Sequence, residues 1–588
     1  MGKSKSFEIG KLPLKVQWKA LLSIFKKYIF RNRPAQLLVV PFFLFIILSK
    51  FVEIKAVKLG GDLTKIIGNT EISHQRNSAM LYVLYNFIFF AINEGVSYIF
   101  SAPIQKAWRE STKETFEQFV SLRFSTFNDI GTGEIYSRIE RRGLAIYDIL
   151  DVVVIEAAPI VISIALFLVQ IQDSLGFLVP ALMLLFLWFF LLATFAITQR
   201  RTKIRQQLNL KINDQNNLLY DILSNYEAVL AYNNRDLEVH RFDSKLKGTE
   251  KEYTSLYKSL FVLNFVQRLL FLVFLLIVFY LGIYGVGTKE FTPESFMAFI
   301  GFVRSICHGL FKSGYLYGRY SIALLNYCTS EVSKDLENYA GEIIQRFTDK
   351  IELKNVGIYH GSRNILSDVN LTINKGDKVA VVGRNGIGKS SLVKSILGFT
   401  SFEGQMLIDG KDFRSLSIKS IRSLISYIHQ DSAIYNDTVK YNILYGNRNM
   451  TDLEITDLCK KIDVHESIER LQNGYNTIAG ERGSSLSGGE KQKIAFARAA
   501  AKNGDILILD EPTASLDKHS EALILTKIIQ YFDKRTVIMI IHNLNLLKMF
   551  NKIVYVADKN TIEIGDFDSL MADNSSFKAF YENFQCEV

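Results

Sequence analysis

The run Lys378-Val379-Ala380-Val381-Val382 leads into Gly383-Arg384-Asn385-Gly386-Ile387-Gly388-Lys389-Ser390-Ser391, a G-x-x-x-x-G-K-S pattern set between a β-branched stretch and a helical one. Glycines there let successive backbone N–H groups turn inward around a phosphate, and the following helix adds its positive N-terminal end. Lys389 is placed to reach the β- and γ-phosphates, and the Ser390 hydroxyl to take a position on Mg²⁺. Ile506-Leu507-Ile508-Leu509-Asp510-Glu511 reads as a buried strand closing on two carboxylates. Asp510 suits Mg²⁺, directly or through water, and Glu511 suits orienting and deprotonating an attacking water. Together these residue types describe nucleoside triphosphate hydrolysis.

A second phosphate-binding end lies in Leu486-Ser487-Gly488-Gly489-Glu490, small residues and two glycines at a helix start. One γ-phosphate cannot easily use both ends of one domain, so two domains arranged head to tail, each completing the other's site, is the economical solution. Gln430, after Ile425-Ser426-Tyr427-Ile428, and His542, after 537–541, either report the γ-phosphate (with Gln430 also a candidate for Mg²⁺) or are structural. Asp517, in Ala514-Ser515-Leu516-Asp517, fits a loop facing the partner subunit. Tyr359, in a turn-like segment before Gly383, either stacks on adenine or is an ordinary surface tyrosine.

These groups need a scaffold, and 588 residues are too many for one core. From Ile351 onward short β-branched runs alternate with helices, an α/β nucleotide-binding pattern. The long apolar runs lie before residue 315. Six spans are expected there: from 35 into the fifties, 79–103, 150–170, 175–198, 259–286 and 295–311. Lys50 ends the first apolar stretch, so it is expected to snorkel or to line a cavity. The connections 105–147 and 199–258 are long and basic, which places them with the N-terminus on the inner side. Their helical pattern suggests spans that continue well beyond the bilayer. Residues 1–34 are basic with interspersed apolar positions, either a juxtamembrane helix or a targeting segment. The net charge of +10 fits basic loops beside a membrane, and no interleaved basic–aromatic stretch suggests nucleic acid. Four cysteines without paired spacing support neither a disulfide framework nor a CxxC metal site.

Over nearly its whole length the sequence resembles an ABC half-transporter of the exporter type. The expected architecture is therefore multidomain: a basic segment 1–34, a six-helix transmembrane domain 35–330, a linker 331–350, and an α/β P-loop ATPase domain 351–588. By this resemblance Tyr359 matches the adenine-stacking aromatic, Gly383 to Ser391 Walker A, Gln430 the Q-loop and Leu486 to Glu490 the signature, with Ser487, Gly488, Gly489 and Glu490 as its ATP-binding residues. Asp510 matches the Walker B aspartate, Glu511 the catalytic glutamate, Asp517 the D-loop and His542 the switch histidine. With every copy intact, a homodimer holding two equivalent ATP and Mg²⁺ sites is implied.

Asn225-Tyr226-Glu227-Ala228-Val229-Leu230-Ala231-Tyr232-Asn233-Asn234, Leu263-Asn264-Phe265-Val266-Gln267 and Arg201-Thr202-Lys203-Ile204-Arg205 resemble segments of mitochondrial ABC transporters. These export glutathione-linked sulfur or iron–sulfur precursors and are relatives of heavy-metal-tolerance transporters. The resemblance implies glutathione-binding positions at Arg201, Arg205, Asn264, Gln267 and Gly314. Arg201 and Arg205, spaced i,i+4, share one helix face, where a carboxylate-bearing ligand would relieve their repulsion; positive-inside anchoring would produce the same arginines. The implied place is a mitochondrial inner membrane, or that of a reduced relict organelle, with the ATPase on the matrix side. An exporter of lipid, peptide or another hydrophobic solute with the same ATPase is the alternative.

Overall fold

The computed structural model describes residues 14–66, 72–330, 332, 335–361, 363–430, 433–512, 518–572 and 576–587. They divide into two compact units: Met1–Phe119 with Gly133–Val332, and Val120–Thr132 with Ser333–Val588.

The first unit is helical. Its elements are α1 (Leu14–Ile24), α2 (Arg33–Ile66) and α3 (Ile72–Val120), followed beyond a short helix α4 (Phe124–Ile130) by α5 (Thr132–Leu150) and α6 (Ala158–Leu175). After these come α7 (Leu178–Ser224), α8 (Tyr226–Ala231), α9 (Arg235–Gly287), α10 (Pro293–Phe311) and α11 (Ser313–Thr329). Among the described residues, five helical stretches are long and apolar enough to cross a membrane. The 47 residues of α7 and 53 of α9 greatly exceed the roughly 20 that cross a hydrocarbon core, so both continue past it. The sixth expected span, 295–311, is helical as α10 but is not one of these five. Thr292 caps it by accepting from the Ser295 N–H, and its stripe of Phe299, Phe302, Val303, Ile306 and Leu310 is buried. The helix stops at Lys312 and restarts as α11.

Lys50 is buried, 8% exposed. Its Nζ lies 3.0 Å from Glu53 Oε2, one helical turn on, and 5.1 Å from the centre of the Phe89 ring. Neutralising the charge within the helix satisfies a group that burial would otherwise make expensive.

Between α5 and α6 the helix widens into a π-turn, Asp151–Ala157. Pro159, in the first turn of α6, has no N–H to offer the carbonyl of Ile155, which favours the wider turn immediately before it. Arg319 on α11 donates to Asp148 on α5 and, at 2.8 Å, to Asp151 in the π-turn. Lys312 lies 3.4 Å from Glu156 in the same turn. Replacing Arg319 by Met keeps the length of the side chain and strands two carboxylates. With the guanidinium side chain one-fifth exposed, the expected loss is about 2 kcal/mol, read as a lower melting temperature in detergent.

The second unit holds a six-stranded sheet in the order β10-β9-β3-β8-β7-β6. Its strands are β3 (Lys378–Gly383), β6 (Ile425–Ile428), β7 (Ile506–Asp510), β8 (Thr536–Ile540), β9 (Lys552–Val556) and β10 (Ile562–Gly565). All neighbours are parallel except β9 and β10. Parallel strands need both faces covered, and β7 and β8 are accordingly buried at every position. A second, antiparallel sheet runs β2-β1-β4-β5, from β1 (Lys350–His360), β2 (Arg363–Asn374), β4 (Ser401–Ile408) and β5 (Lys411–Asp412). The helices that concern the site are α12 (Lys389–Ile396), α13 (Ile418–Leu424), α14 (Val439–Leu444), α15 (Asp452–Lys461), α16 (His465–Glu469) and α17 (Gly488–Lys502).

The segment Val120–Thr132 belongs to this unit. The Phe124 ring of α4 lies 4.5 Å from that of Phe399, and Arg123 Nε lies 3.2 Å from Asp335 Oδ1. Beside them Arg422 grips Glu337 with two N–H groups, each 2.7 Å from a carboxylate oxygen, and its guanidinium covers the Phe399 ring at 4.9 Å.

Candidate functional site

The nucleotide site is built where β3 ends, between its neighbours β9 and β8 in the sheet. Residues Gly383, Arg384, Asn385, Gly386, Ile387 and Gly388 turn the chain from β3 into α12, whose first turn carries Lys389, Ser390 and Ser391. Gly388 caps the helix at φ +117°, and a Cβ there would stand 2.8 Å from Ile365 Cγ2. Both restrictions demand glycine.

Lys389 is 4% exposed and donates to the carbonyls of Gly383 (2.9 Å) and Arg384 (3.1 Å), which sets Nζ across the loop. Burial lowers its pKa from the usual ammonium range, with Glu511 and Asp510 pulling the other way. Phosphates in the loop would add to that pull and favour the charged form.

Asp510, fully buried at the end of β7, accepts from Ser390 Oγ at 2.8 Å. Pairing of β6 with β7 brings Tyr427 to it, with the phenol donating at 3.3 Å, and Lys394 of α12 lies 3.6 Å away. Tyr427 and Lys394 are additions that strand register and helix phase reveal and that the motif spacing does not. Serine hydroxyl and aspartate carboxylate side by side are hard oxygen donors of the kind Mg²⁺ takes when phosphates and water complete its shell, so the residues fit that ion.

Glu511, the next residue, sits at φ +50°, in the left-handed region. A non-glycine residue there is strained and is held by its surroundings. His542 Nε2 lies 2.6 Å from its Oε1, and Gln430 Nε2 donates to its Oε2 at 2.7 Å. Two residues far apart in sequence thus converge on one carboxylate, and both of its oxygens have partners. Water entering between Glu511 and a phosphate must displace or share one of them.

Ser487 and Glu490 form a capping box at the start of α17. Ser487 Oγ accepts from the Glu490 N–H, while the Glu490 carboxylate accepts from the Ser487 N–H at 2.7 Å. Glu490 therefore shapes the helix start, leaving Gly488 and Gly489 in its first turn. α17 packs on α14, α15 and β6, whereas α12 packs on β1, β3, β7 and β8. Tyr359 lies on β1, part-exposed, and the hydrogen bond of its hydroxyl to Glu403, helped by that carboxylate's charge, pushes the phenol pKa up. Asp517 lies outside the described residues.

In the membrane unit, one pocket is lined by Thr198, Arg201, Thr202 and Arg205 of α7, Leu256 of α9, and Gly314, Tyr315, Gly318 and Ile322 of α11. Its volume is about 40 Å³, a corner rather than a full ligand site. Arg201 Nε donates to Ser259 Oγ of α9 at 3.2 Å. Gly314 admits Leu263: a Cβ there would stand 2.6 Å from Leu263 Cδ2. Gln267 is 1% exposed and donates to Thr194 Oγ1 at 3.0 Å, between α9 and α7, while Asn264 is half-buried. So Arg201, Arg205 and Gly314 meet in one pocket, and Gln267 is packed into the neighbouring helix contact. Thr198 and Ser259 are additions that the sequence motifs do not reveal.

Two family patterns match the chain: ABC transporter transmembrane region over residues 37–307, and ABC transporter over 366–514. The mitochondrial iron–sulfur clusters transporter atm1 of Neurospora crassa is 32% identical over 82% of this chain and 69% of its own length. The mitochondrial iron–sulfur clusters transporter ABCB7 of Oryzias latipes is 30% identical over 84% and 67%. A solved bacterial Atm1-family ABC exporter with ATP bound superposes with a TM-score of 0.86 at 26% identity, over 94% of this chain and 99% of the other.

Proposed function

Because this chain belongs to the Atm1 family of ABC half-transporters, we propose that two copies form an exporter for an anionic glutathione-linked sulfur compound, iron–sulfur precursor or metal–thiol complex. The chain is a multi-pass membrane protein whose C-terminal unit hydrolyses ATP to drive transport. The observation that carries the substrate reading is the pocket joining Arg201 and Arg205 to Gly314. Two guanidinium groups on one helix face lower each other's stability, and a ligand carboxylate between them turns that repulsion into charge-assisted hydrogen bonds. A second copy facing the first would enlarge the corner into a basic cavity. The membrane is of mitochondrial type, with the ATPase on the matrix side, as the basic connections suggest.

In the ATPase, Lys389 and the loop N–H groups bind the phosphates, and Ser390 with Asp510 would hold Mg²⁺, which when bound draws charge from the phosphate oxygens. Glu511 orients the attacking water and takes its proton, with His542 and Gln430 fixing the carboxylate. The Gly488–Gly489 end of α17 in one copy completes the loop site of the other, so ATP favours the closed pair and hydrolysis releases it. Alternating access of the basic cavity follows from that cycle.

The test is ATPase activity of the reconstituted protein against a panel of glutathione disulfide, metal–glutathione complexes, phospholipids and hydrophobic peptides. Stimulation by the glutathione compounds, with uptake into inside-out vesicles, is the expected result. Stimulation by lipid or peptide alone would replace this substrate with a hydrophobic one.

A further inference from the structure

Hydroxyl-bearing residues in an apolar helix ordinarily satisfy themselves by bonding to a carbonyl three or four residues back. That pattern holds here for Ser49, Thr115, Ser163, Thr202, Thr249 and Ser259. Thr198 departs from it. The residue is 2% exposed, yet its Oγ1 has no hydrogen-bond partner. Its neighbours on the same stripe are provided for: Thr194 Oγ1 accepts from Gln267, and Thr202 Oγ1 donates to the Thr198 carbonyl at 2.9 Å.

Thr198 is one of the residues lining the pocket that holds the two arginines, with its hydroxyl buried behind that lining. Thr198, Arg201, Thr202 and Arg205 stand at i, i+3, i+4 and i+7, so they form one stripe of α7. Across from them α11 presents Gly314 and Gly318, and an added Cβ at Gly314 would lie 3.6 Å from Thr198 Oγ1. A buried hydroxyl left unpaired is costly, and the cost is relieved if something in the pocket bonds to it.

We propose that Thr198 is a ligand-contacting residue of this pocket, reading a peptide amide or carbonyl of a bound thiol compound whose carboxylate is held by Arg201 and Arg205. The inference rests on the substrate reading above and adds a neutral hydrogen-bonding position one helical turn from the charges. It separates a peptide-like anion, which has an amide to present there, from a simple inorganic anion, which does not. At about 40 Å³ the pocket takes no such ligand in this conformation. Binding must therefore part α11 from α7, exposing Thr198 together with Arg201.

Thr198→Val is the informative change, because valine matches the shape and removes only the hydroxyl. A purely structural residue would gain thermal stability from losing an unpaired polar atom and would leave ligand response unchanged. For a ligand contact, the half-maximal glutathione disulfide concentration for ATPase stimulation should rise about five- to tenfold. Thr198→Ser should stay within about twofold of the unaltered protein, since the hydroxyl is kept. Ser313→Ala serves as control: it removes another buried, unpartnered hydroxyl that does not line the pocket, and should not shift the response. An unshifted Thr198→Val in a preparation that does respond to glutathione disulfide overturns this inference and leaves the substrate reading standing. No response in the unaltered, active protein overturns both.

Discussion

Glu511→Gln is expected to reduce ATP turnover at least a hundredfold (roughly 3 kcal/mol of transition-state stabilisation) while leaving ATP binding intact. The substitution preserves size and the strained backbone position at φ +50°, so the loss reports chemistry and not collapse of the site. A carboxamide can still meet His542 and Gln430, the two residues that hold the native carboxylate. It cannot take a proton from water. In the proposed cycle hydrolysis reopens the closed pair, so the variant should accumulate in the closed state, visible as ATP that stays with the dimer through size exclusion. Phosphate release at the native rate would remove Glu511 from its role. Retention as a single copy under saturating ATP would remove the head-to-tail pairing.

The Arg201→Ala/Arg205→Ala double variant is expected to lose the ligand-dependent increment of ATPase activity. On the proposed substrate reading, each guanidinium would contribute charge-assisted hydrogen bonds worth about 1.5–3 kcal/mol to an anionic ligand. Together they would account for at least about a hundredfold in affinity. Arg201 also donates to Ser259, so a single Arg201→Lys, retaining charge but not the planar fork, separates electrostatic attraction from geometry. A double variant that responds to glutathione disulfide like the native chain would return both arginines to simple membrane anchoring.

The ATPase chemistry was legible because its motifs are local. Strand, glycine-rich turn and helix are consecutive from Lys378 to Ile396, and Asp510 ends a strand that Glu511 follows directly. The partners of those carboxylates were less legible. Tyr427 reaches Asp510 only through the pairing of β6 with β7 across 83 residues, and Lys394 only through the phase of α12. In the membrane unit, apolar length foretold the spans but not their rotation. Hence the Gln267–Thr194 bond between α9 and α7, and the place of Thr198 in the pocket, are not legible from the motifs. Lys50 shows the same limit: Glu53 stands in plain view three residues on, yet only the helix phase brings the two charges together. The break at Lys312 follows no proline, and its neighbour Gly314 owes its identity to the close approach of Leu263 from another helix.

The grouping of Val120–Thr132 with the ATPase unit has a mechanical corollary. α3 ends and α5 begins at the two edges of that short piece, so chain continuity ties both helices to a hook whose Phe124 packs on Phe399. A chain whose hook is worn smooth, while its phosphate chemistry is untouched, would behave as an engine out of gear: fuel consumed, nothing carried.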